Sequence, residues 1–335
     1  MPLPILFIGI AAATGSLGIG KTIKAGVHAS EASKINKSAQ EIVDDSTKRM
    51  DLQRKVCGNS LEFLGEQKLF ILNSSMNDFL NSFSKIKNVD FRYSEGLEEL
   101  KNFHIDSKYF AEMKTMVNFA GSIAGGVTAG TAGGALVAFG AYGAAQALAV
   151  ASTGTAIASL GGAAATNATL AFFGGGSLAA GGLGIAGGTA VLGGLVAGPA
   201  LLVMGFVAGA AAKKNLEKAY INRDEAIQIY EQLSAASLQC ESIRRRTYMY
   251  YNLLARLDSY FLPLIYKMED ILKNEGEDYH MYSPESKKVI ASCASFAVTI
   301  KMLLDTPILT EEGYLTEESS EAVEKVVSKL EETKR

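Results

Sequence analysis

Gly15, Gly20, Lys21 and Thr22 stand at the spacing of a phosphate-binding loop, GxxxxGK followed by Ser or Thr, after an apolar run that could form a strand. In such a loop backbone N–H groups cradle phosphates, the lysine reaches the terminal ones, and the threonine hydroxyl binds magnesium. The same chemistry needs a βαβ unit and a strand ending in an acidic magnesium ligand. Residues 29–115 read as helical instead, and the acidic side chains there fall on helices. Nucleotide binding is therefore the weakest functional reading, and no cofactor is expected.

The other reactive side chains are scattered. His28, His104 and His280 are isolated, with no pair at metal-ligand spacing. Ser177 lies in a glycine-rich run but not in a GxSxG elbow. Cys57, Cys240 and Cys293 are far apart in sequence and odd in number, without a CxxC pair. They read as small buried apolar groups in a reducing compartment. Carboxylates alternate with lysines as on solvated helix faces. Arg244, Arg245 and Arg246 read as a surface cluster on a coiled coil, with contact to anionic lipid as the competing reading. No catalytic or metal site, no enzyme activity and no small-molecule substrate are expected. A net charge of −3 without a clustered basic face argues against nucleic acid as a partner.

The elements that carry these groups are helical. From about Ala29 to Lys87 polar and apolar residues interleave without proline. Leu69, Leu72, Met76, Phe79, Phe83 and Ile86 then form one stripe in steps of three and four. After a break over Asn88 to Asp106, with a short helix near Ser94–Phe103, Asp106 is a candidate N-cap for a helix running through Lys114. From Ala226 to Ile271 a heptad seam runs through Leu233, Cys240, Thr247, Leu254, Phe261 and Met268. Unbroken, that helix would reach roughly 90 Å, but Pro263 is expected to kink or interrupt it around Ser259–Leu262. The seam needs a partner, either the Ala29–Lys87 helix or a second copy. Ser283 and Pro284 open a further helix that stops before Pro307, and Thr316 caps the last one.

Between these flanks, Thr115–Ala212 is 98 residues without one Asp, Glu, Lys, Arg or His, and it holds 24 of the 34 glycines. A soluble amphipathic helix keeps one polar face, and two long helices in this segment would have none. Val117–Ala151 and Leu183–Ala212 are each long enough to cross a hydrocarbon layer of ~30 Å. Ser152–Gly182, with Asn167 and glycine clusters, reads as the turn. Gly126, Gly130 and Gly134 recur every four residues, as do Gly184 and Gly188, Gly194 and Gly198, and Gly205 and Gly209. Such spacing lets a second helix approach closely. Lys114, Lys213 and Lys214 flank the hairpin and place both its ends on one side of a bilayer, the side that Lys21 and Lys24 also favour. The first 19 or so residues are short for a spanning helix, so an anchor and a core helix both remain open. The competing account of the whole segment is a hairpin buried in a helical bundle, and one chain could pass from that sheltered form to an inserted one.

The stretch from Ser152 to Pro199 resembles a glycine-rich core found in many uncharacterised bacterial proteins, some labelled chemotaxis proteins. The similarity extends to the N-terminal residues 2–13, to Ser94–Phe103 and to Leu303–Ser319. It implies a bacterial origin and one shared architecture, and brings no catalytic residues. At the level of architecture, a helical body with an apolar hairpin is similar to α-helical pore-forming toxins and effectors.

The expected protein is all-α: a long antiparallel helical or coiled-coil body with a Gly/Ala-rich apolar hairpin. Its parts are an N-terminal apolar segment (1–27), the first half of the body (28–114), the membrane-active hairpin (115–212) and the second half (213–335). Its expected partners are a lipid bilayer and further copies of itself through the glycine faces, with pore formation as one outcome. A membrane-anchored coiled-coil scaffold or signalling protein is the alternative. The expected location is a bacterial membrane with the body on its cytoplasmic side, or a soluble form that inserts.

Overall fold

The heptad seam finds its partner within the chain. In a computed structural model, which describes residues 25–91, 108–126, 136, 139–141, 216–310 and 313–332, the seam lies on one helix, α4 (Leu216–Glu275), packed along α1 (Ala25–Ile71). A π-helical turn, Leu72–Met76, carries α1 into α2 (Asn77–Phe83). The other elements are α3 (Lys108–Gly126), a 3-10 turn (Tyr279–Met281), α5 (Pro284–Asp305) and α6 (Glu317–Glu332). The described residues are all-α, with two isolated bridges and no strand.

The long pair is parallel, not antiparallel as the sequence suggests. Asn222 Nδ2 donates to Asn36 Oδ1 (2.9 Å), and Ser237 Oγ to Met50 Sδ (3.3 Å). Further along, Ser75 Oγ bonds Asp258, and Ser82 Oγ donates to Glu269 Oε1 (3.1 Å). At the far end Lys87 makes a parallel bridge with Asp278. Partner numbers rise together throughout. A heptad seam packs equally well in either direction, and only a short loop forces antiparallel neighbours. Here the chain between α2 and α4 is long, and its described part turns back. Phe110 of α3 stacks near Phe83 (5.9 Å), Ala120 O accepts from Asn73 Nδ2 (3.3 Å), and Leu136 and Gly140 then lie against Gly65 and Leu61. The described limb thus runs from Phe83 to Leu61, against the direction of α1.

Pro263 does not interrupt α4. Its ring faces solvent, and the carbonyl it leaves unbonded belongs to exposed Ser259, where water can serve. The seam shifts slightly there: Leu264 is half-buried and Ile265 takes the core position. Of the three expected caps, Asp106 lies outside the described residues and the other two are present. Ser283 Oγ accepts from Ser286 N (3.1 Å), and Thr316 Oγ1 accepts from Ser319 N (3.2 Å).

α5 returns along α4, with Tyr260 and Phe296 in ring contact, and α6 runs beside both, its Ser319 carbonyl accepting from Tyr250 Oη (3.2 Å). Where α2 and α3 meet α4, Phe79, Phe83, Phe91, Phe110, Phe261 and Tyr279 form one aromatic cluster. Toward Ala25 and Leu216 the described core narrows to small residues such as Ala32, Ala39, Ala219 and Ala226 between the two long helices alone.

Candidate functional site

Continuing the seam of α1 back from Leu72 in steps of three and four lands on Lys68, Leu64, Leu61 and Cys57, all buried. Lys68 is thus a lysine at a core position, with none of its surface exposed. Its Nζ donates to the carbonyls of Phe139 (3.1 Å) and Gly140 (3.3 Å) and lies 5.7 Å from the Phe139 ring centroid. The next carbonyl, Ala141 O, accepts from Ile308 N (2.8 Å) and Leu309 N (3.1 Å). Three successive carbonyls therefore accept hydrogen bonds from other parts of the chain. Residues 139–141 belong to the charge-free segment, so this cluster clasps that segment to the body.

Two glycines make the approach possible. A methyl on Gly65 would stand 2.1 Å from Leu136 O, and one on Gly140 would stand 2.0 Å from Leu61 O. The backbones touch, and any side chain at either place would separate them. Helix-interior glycine costs about 1 kcal/mol against alanine, and this contact is what offsets it at Gly65. The π turn follows directly, and its Asn73 reaches Ala120 O of α3. Such turns rotate the faces of a helix and recur at functional sites.

Around the clasp is a charge cluster in which Lys301 is buried and Glu112 is partly exposed. Lys301 of α5 pairs with Glu112 of α3 (3.1 Å) and with Asp305 (2.5 Å), and its Nζ stands 4.3 Å from the centroid of the Tyr109 ring. Asp305 Oδ1 is buried without a hydrogen-bond partner. Burial pushes the Asp305 carboxyl up, opposed by Lys301. Burial brings Lys68 down to about 7, with Asp305 pulling the other way. Two lysines and two carboxylates from α1, α3 and α5 thus meet at the place where the charge-free segment is held.

Of the sequence-predicted site residues, Lys114 is exposed on α3 and Gly126 ends that helix. Gly130, Gly134, Gly184, Gly188, Gly194, Gly198, Gly205, Gly209, Lys213 and Lys214 lie outside the described residues, as do Gly15, Gly20, Lys21 and Thr22. The run from Val117 to Ala151, read as a spanning helix, begins as a body element: Val117, Ala120, Leu136, Phe139 and Ala141 are buried, most of them in the main core. α3 also runs across the 114/115 boundary. Among the described residues no helix is long and apolar enough to cross a membrane, and no His, Cys, Asp and Glu group could hold a metal ion. Arg244 and Arg245 pair with Glu241, and Arg246 donates to Ser319 and Ser320, so this cluster is engaged on the body surface.

Sequence reasoning missed Lys68, Gly65 and Gly140. The first two had a signal: a lysine in register with an apolar stripe, and a glycine inside a long polar helix. No family model matches the chain, and neither a curated protein nor a solved structure matches it.

Proposed function

We propose that this is a membrane-active helical protein whose charge-free segment is docked on the body and enters a bilayer when the clasp opens. The observation that carries the reading is the Lys68 contact. The start of an uncharged 98-residue segment is held by hydrogen bonds to its backbone and by glycine contacts rather than by charge pairs of its own. Released, these residues offer a bilayer no charged side chain. The four-residue glycine spacing then favours association of inserted helices, with a pore as one form of the assembly.

The test uses the full chain and vesicles of phosphatidylcholine and phosphatidylglycerol loaded with dye. Flotation measures binding, and dye release measures permeabilisation. Gly65→Ala, which forces the clasp apart, is expected to increase both over the native chain. If neither protein floats with vesicles, the reading fails. Flotation without release removes the pore and leaves an anchor.

The second reading, a membrane-anchored coiled-coil scaffold, is favoured by the parallel pair. Because Asn36 meets Asn222, the chain joins both long helices at one end of the body. A body tethered there would stand away from a membrane on two adjacent joints. Carbonate washing of fractions from the native host separates the readings: a scaffold stays in the membrane at all times, a docked form starts in solution.

A further inference from the structure

Cys57 on α1 and Cys240 on α4 are both buried between the long helices, 3% and 2% exposed. Their offset in sequence equals that of the bonded pair Ser75 and Asp258, 183 residues, and is close to the 187 of Met50 and Ser237. They therefore face one another in one layer of the parallel pair, near enough that each thiol acts on the other. A disulfide spans Cα atoms about 4.4–6.8 Å apart, which facing core positions of two closely packed helices reach.

Each thiol has an arginine one helical turn away. Arg54 precedes Cys57 by one turn and Arg244 follows Cys240 by one turn. Arg244 is paired with Glu241 (2.6 Å). Arg54 bonds Asp51 through Nη1 (3.0 Å), while its buried Nε and Nη2 meet no hydrogen-bond partner. Idle buried donors on a cation are costly, and a thiolate beside them would satisfy the charge. Cys57, helped by Arg54, holds the Cys240 thiol down, whereas Cys240 and burial push the Cys57 thiol up. Cys293 on α5 is raised by burial alone, which makes it an internal control.

We propose that Cys57 and Cys240 are a redox-active dithiol that closes to a disulfide joining α1 to α4, with a hydroperoxide as oxidant. The Cys240 thiolate attacks a peroxide oxygen, the O–O bond breaks, and a sulfenic acid forms as hydroxide leaves. Cys57 gives its proton to that hydroxide and attacks the Cys240 sulfur; the S–O bond breaks and the second hydroxide leaves, taking up the proton Cys240 had released. With hydrogen peroxide, two thiols lose two electrons and the peroxide becomes two waters. The buried sulfurs make opening of the helix pair the gate to the reaction. Closure then locks the register of α1 against α4 at that layer.

The reduced full chain is treated with hydrogen peroxide, alkylated in denaturant and mapped by peptide mass. The free thiols are expected to fall from three to one, with the Cys57 and Cys240 peptides joined, Cys293 alkylated, and dithiothreitol reversing the change. The oxidised chain should melt about 5 °C higher than the reduced one. In Cys57→Ser the bridge disappears, and a dimedone adduct appears on Cys240. Mapping of the native chain needs no variant, so a folding defect in Cys57→Ser leaves the test intact. Three thiols persisting under peroxide, a bridge that includes Cys293, or cross-linking only between copies would each overturn the proposal.

Discussion

Gly65 and Gly140 meet across a helix crossing so close that a methyl group on Gly140 would lie 3.2 Å from the Gly65 amide nitrogen and 2.0 Å from Leu61 O. This contact positions the Lys68 ammonium on its carbonyls, because a wider spacing would carry Phe139 and Gly140 out of reach. Glycine here sets the distance at which the charge-free segment sits on the body.

Substitution at this crossing is expected to be costly and local. Gly65→Ala should destabilise the fold by about 2–3 kcal/mol through overpacking and raise amide exchange around residue 140. Gly58→Ala, in the same helix, meets nothing within 4 Å. It should stabilise by about 0.5–1 kcal/mol. Thermal melts of both proteins, with hydrogen exchange on the first, check the pair; equal effects would contradict the crossing.

Lys68 gives the clasp a pH dependence of known sign. Burial lowers it from 10.5 to about 7, so between those values the opened state binds more protons than the docked one. Docking should strengthen as pH rises from 7 towards 10 and should show no further change from this group below 7. Asp305, raised by burial, acts at lower pH in the opposite sense, favouring the docked form when protonated. Glu112, Lys301 and Tyr109 also face the cluster, and Tyr109 is pushed up by burial, so it stays neutral across the Lys68 window. The difference in melting temperature between native protein and Lys68→Met, followed from pH 6 to 10, should grow in favour of the native chain as pH rises.

Pro263 sits in an exposed turn of an unbroken helix. Pro263→Ala restores the hydrogen bond to Ser259 and should stabilise by about 1–3 kcal/mol in urea titration. A loss of stability would mean that the core shift from Leu264 to Ile265 depends on the proline.

The parallel register can be trapped chemically. With the native cysteines replaced by serine, Asn36→Cys with Asn222→Cys should close to an intramolecular disulfide under mild oxidant, since the native side chains are 2.9 Å apart. Asn36→Cys paired with Glu269→Cys, the partner that an antiparallel pair would bring near, should not.

Under the proposed function, Gly130→Leu and Gly188→Leu should lower dye release several-fold while leaving vesicle flotation unchanged. Both close a glycine face that helix association uses, and neither removes apolar surface that binds lipid. Loss of flotation as well would place these glycines in docking or folding rather than in assembly.

Much of the body is legible in the chain because helix periodicity, caps and breakers are local. The seam from Ala226 to Met268, the stripe from Leu72 to Ile86 and the caps at Ser283 and Thr316 all read directly. What the chain does not show locally is long-range. Pro263 signals a break by its own chemistry, yet solvent on its side of α4 absorbs the lost bond. Cys57 and Cys240 look unrelated at 183 residues apart until the two helices are laid in register.

By itself, the sequence determined the helical class, which faces of the long helices are apolar, and the confinement of charge to the flanks. These follow from residue type and spacing over a few turns. Tertiary structure decided the parallel direction of α1 and α4, the burial of Lys68 on backbone carbonyls, and the use of Gly65 and Gly140 as a crossing point. Direction and depth of packing depend on how the chain returns between the two long helices. A heptad pattern, the same read forward or backward, carries no record of that path.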